Sequence, residues 1–154
     1  MKLKRIALIP LFVLMIIVLT GCKYEYEFEQ DLENVESVEI KRFDYETQST
    51  TAITTLDDNS AICMLNDFSS TSCRKHFGDH SRDYGRIIVY INYKNGEAEI
   101  LGDYLSGYVD STGKIHEKIQ YFGGSDFCNI VLKYVDEDLV PELVSEYPEI
   151  TSKP

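Results

Sequence analysis

The amino-acid sequence predicts an α+β fold, a two-layer sandwich in which an antiparallel sheet of about five strands carries two helices on one face. Three observations predict this class. Several segments alternate apolar and polar residues, Asn95-Gly96 lies between two of them, and two further segments repeat apolar residues at helical spacing. The predicted order of elements is β-β-α-β-β-β-α.

The first half of the predicted domain contains two strands and a helix. Residues 35–45 alternate and residues 47–56 are rich in β-branched side chains, so both are predicted strands. Asp57 opens a polar run that can cap a helix over residues 61–68. The predicted apolar face of this helix consists of Ile62, Leu65 and Phe68.

The second half is divided by turns. The extended segments between the turns are residues 87–93, 97–101, 104–109 and 114–122, and the closing helix is residues 125–135. Asn95 and Gly96 tolerate the positive φ that a type I′ hairpin turn requires. The closing helix has one apolar stripe, made of Phe127, Ile130, Val131 and Tyr134.

Residues 1–21 have the layout of a secretory signal peptide. Lys2, Lys4 and Arg5 precede a wholly apolar run at residues 6–19. As a helix, this run of about 14 residues would be roughly 21 Å long, against a bilayer hydrocarbon core of about 30 Å. The run is therefore too short for a comfortable membrane span.

The apolar run ends in Leu19-Thr20-Gly21-Cys22, which resembles the lipobox of bacterial lipoprotein precursors. The resemblance implies that the Cys22 thiol receives a diacylglyceryl group and that a peptidase then cuts before it. Two acyl chains hold a protein stably on a membrane, so the expected location is the extracytoplasmic face of the cell membrane. The alternative is an ordinary signal peptide or membrane anchor that contains a cysteine.

The mature chain is predicted to have three parts. Residues 22–34 are interpreted as an acidic solvated tether, although their aromatic residues alternate with glutamates as in a strand. Residues 35–136 form the predicted α+β domain. Residues 137–154 form an acidic C-terminal tail, in which a short helix can start at Pro141.

The mature chain is strongly acidic. After removal of residues 1–21 it has 12 Lys and Arg against 26 Asp and Glu, a formal charge of −14 with histidine neutral. Such a charge repels the phosphates of nucleic acids. We therefore expect no nucleic-acid partner. The expected partners are the membrane, through the N-terminal lipid, and an unknown protein or small-molecule ligand.

Once Cys22 carries lipid, the chain retains Cys63, Cys73 and Cys128. An odd number allows at most one intramolecular disulfide, and the sequence does not choose among the three pairings. The alternative is that all three are small buried side chains.

Residues 69–85 are polar and are predicted to form a long loop. They contain the candidate metal ligands Cys73, His76 and His80, which are residue types that bind Zn²⁺. Gly78 makes a helix that presents both histidines together less favourable. An exposed loop of mixed charge is the alternative interpretation. The sequence has no nucleophile elbow, Walker loop or EF-hand pattern, and we predict neither an enzyme nor a cofactor.

Three segments resemble small exported lipoproteins of low-GC Gram-positive bacteria: residues 34–40, the Ile-Asn-Tyr-Lys-Asn-Gly-Glu hairpin at 91–97, and the closing helix from Phe127 to Tyr134. The resemblance implies fold and location and carries no catalytic motif. We expect a recognition module that binds through the uncovered sheet face and the 69–85 loop. Five tyrosines on predicted strands could serve such a face: Tyr90, Tyr93, Tyr104, Tyr108 and Tyr121. The alternative is a surface enzyme or metal-handling protein that uses Cys73, His76 and His80.

Overall fold

The described part of the chain consists of nine strands and four α-helices, which confirms the α+β class. The structure, a computed structural model, describes residues 24–44, 46–47, 49–75 and 86–151. The strands are β1 (Tyr24–Glu25), β2 (Val35–Asp44), β3 (Ser49–Thr55), β4 (Ser72–Lys75), β5 (Ile87–Tyr93), β6 (Ala98–Leu101), β7 (Ser106–Val109), β8 (Ile115–Lys118) and β9 (Gln120–Tyr121). The helices are α1 (Asp58–Ser70), α2 (Gly124–Val131), α3 (Pro141–Glu146) and α4 (Pro148–Thr151).

The strands form two antiparallel sheets, so the predicted layout of one five-stranded sheet with two helices is wrong. The larger sheet has six strands in the order β3-β2-β5-β6-β7-β8, and the smaller has three in the order β1-β4-β9. The predicted strand at 114–122 divides at Ile119, so that β8 joins the larger sheet and β9 the smaller. Strands of two residues, such as β1 and β9, are too short for a sequence pattern to show which sheet they join, because only tertiary pairing decides it.

Two hairpins in the larger sheet close through three-residue loops. The Gly96 amide donates to the Tyr93 carbonyl at 3.0 Å, and the Tyr93 amide donates to the Glu97 carbonyl at 2.9 Å. Gly96 and Gly113 both have φ +83°, a conformation that glycine adopts without a Cβ penalty. The turn at Asn95-Gly96 is thus where the sequence predicts it, but its length is that of a three-residue loop and not of a two-residue type I′ turn.

Helix α1 begins three residues before the predicted start at 61 and ends two residues after 68, and its buried face also differs from the prediction. The Asp57 side chain accepts a hydrogen bond from the Ser60 amide at 3.1 Å, which caps the helix. The buried residues of α1 are Ala61, Met64, Leu65 and Phe68. Ile62 is 55% exposed, because the stripe that starts at Ala61 faces the sheet and leaves Ile62 about 100° to one side.

The main core lies between the larger sheet and helices α1 and α2. An aromatic cluster occupies its centre, where the Phe122 ring centroid lies 4.9 Å from that of Tyr26 and 4.8 Å from that of Phe68. Alternate β5 residues, including Val89, Ile91 and Tyr93, belong to this core. The opposite face of the sheet has a smaller cluster of buried residues, made of Ile88, Ile100 and Leu105.

The folded part of the chain extends beyond the predicted boundaries of 35 and 136. On the N-terminal side, Tyr24 pairs with Cys73, and Tyr26 is only 3% exposed. On the C-terminal side, Val140 and Leu143 are buried, and Pro141 stands in the first turn of α3. Tyr26, Val140 and Leu143 explain this extension, because they are buried against the domain although acidic residues lie close to them in sequence.

Candidate functional site

The predicted metal ligands fall partly within the described residues. Cys73 lies in β4, is 2% exposed and has a pKa raised by burial. His76 and His80 lie outside the described residues, as does Cys22. Across the ranges that the structure describes, no three His, Cys, Asp or Glu side chains come together as a metal site would require. Burial keeps the Cys73 thiol protonated and away from solvent, which disfavours it as a nucleophile or ligand.

The three cysteines other than Cys22 are free thiols. Cys63 is exposed, while Cys73 and Cys128 are buried. Burial raises the pKa of Cys128 to about 11. The two buried cysteines therefore behave as small apolar side chains, so the alternative that all three are buried is right for Cys73 and Cys128 and wrong for Cys63.

The five strand tyrosines do not share one sheet face. Tyr93 is fully buried in the main core beneath the helices. Tyr90 points to the opposite face, where the Lys41 ammonium lies 3.7 Å from its ring centroid. Tyr108 pairs with Glu99 and lies on the same face as Tyr93, whereas Tyr104 lies in the connection between β6 and β7. The larger sheet thus has no tyrosine-lined recognition face within the described residues.

A groove of about 690 Å³ lies beside the N-terminal turn of α1, and we name it the α1 groove. It is formed by the 3₁₀ turn at Leu32–Asn34, the start of β2, the end of β3 and the first turns of α1. Its apolar lining residues are Leu32, Val35, Val38, Leu56, Ala61 and Ile62. Its size is that of a typical small-ligand pocket.

The α1 groove combines an apolar floor with a mainly acidic lining. Glu33, Glu36 and Asp58 supply three carboxylates, and Lys94 supplies one ammonium. The Lys94 ammonium donates to the Glu33 carbonyl oxygen at 2.8 Å, so it is partly engaged with the groove wall. The groove therefore offers a negative potential around apolar surface, which favours a ligand with the opposite charge.

Ile62 is the most exposed apolar residue of this groove. Its side chain is 55% exposed although it belongs to a helix whose other large apolar residues are buried. Single exposed apolar residues are common on protein surfaces and carry little meaning alone. Here Ile62 stands in one groove with Leu32 and Leu56, so that it contributes to a continuous apolar wall.

A second cavity, of about 340 Å³, lies at the other side of the domain beside a buried ion pair. Its lining residues are Glu27, Glu29, Lys75, Glu117, Lys118, Ile119 and Gln120. The Lys118 ammonium lies 2.8 Å from the Glu99 carboxylate, which is fully buried. The same ammonium contacts Glu29 at 3.1 Å.

The Glu99 carboxylate is saturated with donors. It accepts hydrogen bonds from the hydroxyls of Tyr26 and Tyr93, both at 2.7 Å, and from the Glu29 amide at 3.1 Å. Burial, and then the Glu99 charge, raise the pKa of Tyr26 well above its usual range. These donors, together with the Lys118 ammonium, fix the position of the carboxylate between the sheet and the N-terminal segment. We interpret this network as the attachment of residues 24–30 to the sheet.

Comparisons with protein-family models, with curated proteins and with solved structures give no match to this chain. None of the helices in the described ranges combines the length and the apolar character needed to cross a bilayer.

The groove residues could not be found from the sequence. Leu32 lies in the segment predicted as a tether, Leu56 at the end of a predicted strand, and Ile62 was assigned to the buried face of its helix. No motif links three segments that meet only through tertiary packing. The sequence does give a weak indication that residues 24–28 belong to the fold and can reach the Glu99 network. Tyr24, Tyr26 and Phe28 alternate with glutamates as in a strand.

Proposed function

We propose that the mature protein is held at the extracytoplasmic face of the cell membrane by a diacylglyceryl group on Cys22 and that it works there as a binding module. The order of features in residues 1–22 supports the anchor: basic residues, a short apolar run, and then Leu19-Thr20-Gly21-Cys22. The two acyl chains would make the attachment stable.

The ligand that fits this module is an amphipathic segment with positive charge, bound in the α1 groove. The single observation behind this assignment is the combination of an apolar floor with three carboxylates at Glu33, Glu36 and Asp58. Apolar contacts would supply most of the affinity, and the carboxylates would select for cations and against anions. A polycationic ligand would also be drawn towards a chain of formal charge −14.

The anchor is tested by expressing the precursor in a bacterium that matures lipoproteins. Intact mass spectrometry should find a chain that begins at Cys22 and carries a diacylglyceryl group. Cys22→Ala should abolish lipid labelling, whereas Cys63→Ala, which changes an exposed cysteine of the folded domain, should retain it. Lipid on the Cys22→Ala variant, or a mature chain that begins at another residue, would refute the anchor.

The groove is tested with a defined probe, a fluorescein-labelled decapeptide of alternating Leu and Lys, and the same peptide with Glu in place of Lys. The lipidated protein is held on neutral phosphatidylcholine nanodiscs, and empty nanodiscs give the background. We expect anisotropy to report binding of the Leu-Lys peptide and little binding of the Leu-Glu peptide. Binding of both peptides alike would contradict the charge selection.

Matched variants test whether the peptide binds in the α1 groove or is attracted only by the overall negative charge of the protein. Ile62→Ser should weaken binding of the Leu-Lys peptide at least about fivefold, the effect expected of a residue at the centre of a contact. Leu139→Ser changes a residue that is 44% exposed and does not line the groove, and it should leave binding unchanged. Glu36→Gln should weaken binding more than Glu46→Gln, because Glu46 is exposed outside the groove. Equal effects within either pair would exclude the α1 groove as the site.

A further inference from the structure

The sequence leaves almost no chain between the lipid-bearing residue and the folded domain. Two residues lead from Cys22 to Tyr24, and two extended residues reach about 7 Å. Tyr24 is already part of β1, where it pairs with the buried residue Cys73. The start of the domain must therefore stay within this short distance of the Cys22 backbone.

The segment that follows Tyr24 is fixed to the domain. The Glu25 carbonyl oxygen accepts a hydrogen bond from the Gln120 amide group at 3.0 Å, and the Glu27 carbonyl oxygen accepts one from the Lys118 ammonium. Tyr26 is buried in the main core. These contacts prevent the segment from peeling away to act as a spacer, because each would expose buried groups.

Given the lipid anchor proposed at Cys22, on which this orientation rests, we propose that the end of the domain formed by β1, β4 and β9 lies directly against the bilayer surface. The occupant of this surface is the headgroup layer of the membrane in which Cys22 is anchored. The distance that the chain allows, and not charge, determines the orientation.

The side chains at this end suit an interface with headgroups. Ile119, between β8 and β9, is 57% exposed and is the most exposed large apolar residue in the described ranges. Lys75 pairs with Gln120 at the end of β4, and its ammonium lies 3.9 Å from the Tyr24 ring centroid. An amphipathic lysine beside aromatic and aliphatic side chains is a favourable combination at a membrane surface.

This end of the domain carries both signs of charge. Glu27, Glu29 and Glu117 line the cavity beside Lys75 and Lys118, and Lys118 is paired with Glu29. We therefore expect the orientation to be the same on neutral and on anionic membranes, because attraction between opposite charges contributes little to it.

The α1 groove lies away from the proposed membrane contact. From Tyr24 the chain runs past Glu99, whose carboxylate accepts from the Glu29 amide, to Asn34, whose carbonyl accepts from the Lys94 amide. Lys94 belongs both to the loop after β5 and to the groove lining. The groove would thus open towards the outside, where a ligand can reach it.

The orientation is tested by fluorescence quenching on vesicles of neutral phosphatidylcholine that contain a nitroxide-headgroup lipid. The lipidated full-length mature chain with Cys63→Ser, which removes the exposed thiol, receives one label at Ile119→Cys or at Thr112→Cys. Thr112 is exposed in the loop at the opposite end of β8. We expect quenching of the Ile119→Cys label to be at least threefold stronger than that of the Thr112→Cys label. Arg74→Cys, at an exposed residue of β4, provides a second position near the membrane.

The outcomes distinguish the orientation from the anchor. Equal or weak quenching at both ends, with the diacylglyceryl mass present on the protein, would overturn the orientation alone. Stronger quenching at Thr112→Cys would reverse it. Absence of the lipid mass would overturn the anchor, and the orientation with it.

Discussion

The side chains of Glu99 and Lys118 meet across an intervening strand, with the Lys118 ammonium 2.8 Å from the Glu99 carboxylate. Glu99 is on β6 and Lys118 is on β8, and β7 lies between them. The pair is covered by residues 26–29, which supply the Tyr26 hydroxyl, the Glu29 amide and the Glu29 carboxylate. Sheet and N-terminal segment are thus joined through one buried charge pair.

We expect Lys118→Met to destabilise the protein by about 3–5 kcal/mol, because it leaves the buried Glu99 carboxylate without its counter-charge. Glu99→Gln should cost less, about 1–3 kcal/mol, since Lys118 retains its contact with Glu29 at 3.1 Å. The measurement is the free energy of unfolding in urea. Lys114→Met, at an exposed lysine before β8, is the matched control and should have little effect. If Lys118→Met costs no more than Lys114→Met, the pair does not stabilise the fold.

The sequence predicted those elements that have a local signal. The Asp57 cap, the Asn95-Gly96 turn and three residues of the predicted stripe of α2, Phe127, Ile130 and Val131, are present in the structure, and each depends on residues close in sequence. The helix ends at Val131 and not at the predicted 135, so that Tyr134 lies beyond it. The smaller sheet could not be predicted, because β1 and β9 have two residues each and exist only through pairing with β4. The same holds for the α1 groove, whose residues come from segments that no sequence pattern connects.

Residues 24–28 carry two conflicting sequence signals, and only one of them agrees with the structure. Its glutamates predicted a solvated segment, and its aromatic residues predicted a strand. The aromatic signal is the correct one for Tyr26, because its side chain is buried beside Phe122. Burial of one large aromatic side chain contributes about 1.5–3 kcal/mol, whereas the intervening glutamates lose little when they stay near solvent.

Alkaline pH should destabilise the protein through buried groups whose pKa is raised in the folded state, with Tyr26 and Tyr93 among them. Burial, followed by the Glu99 charge, raises the pKa of both hydroxyls above the ordinary value of about 10. The unfolded chain therefore loses these protons first, so that the stabilisation is complete below pH 10 and is lost as the pH rises towards the folded pKa. Urea unfolding from pH 8 to pH 11.5 should give a free energy that falls above about pH 10.

Tyr26→Phe should reduce the slope of the free energy of unfolding against pH in the alkaline range. The reduction should correspond to about one proton, because the variant removes one of these two buried hydroxyls. The same variant lowers stability at neutral pH, so the slope and not the absolute free energy is compared. Tyr104→Phe, at a side chain that is 51% exposed, is the matched control. An unchanged slope for Tyr26→Phe would show that other groups cause the alkaline unfolding.

Two apolar residues of α1 should differ sharply in their contribution to stability. Leu65 is 1% exposed and Ile62 is 55% exposed, although they are three residues apart on one helix. We expect Leu65→Ala to cost about 2–5 kcal/mol in the free energy of unfolding, because it creates a cavity in the main core. Ile62→Ser should change it by about 0.5 kcal/mol or less, which makes it suitable for the binding test. Comparable losses would show that Ile62 is buried in solution.

Gly124 is a glycine at which a side chain should be poorly tolerated. A Cβ there would lie 1.9 Å from the Tyr147 hydroxyl oxygen and 2.3 Å from Cζ of the ring. Tyr147 would have to move, and its hydrogen bond of 2.8 Å to the buried Asp103 carboxylate would be lost. We expect Gly124→Ala to cost about 2–4 kcal/mol from the strain and the lost hydrogen bond together.

Gly123→Ala is the matched control for this substitution, because a Cβ at Gly123 meets no atom closer than 3.7 Å. Its expected cost is about 1 kcal/mol or less, the difference between Gly and Ala at an N-cap. In a Tyr147→Ala background the obstacle to Gly124→Ala is gone, and the substitution should then cost little because alanine favours helix. A urea double-mutant cycle measures this coupling. Additive costs for the two substitutions would mean that Tyr147 does not pack over Gly124.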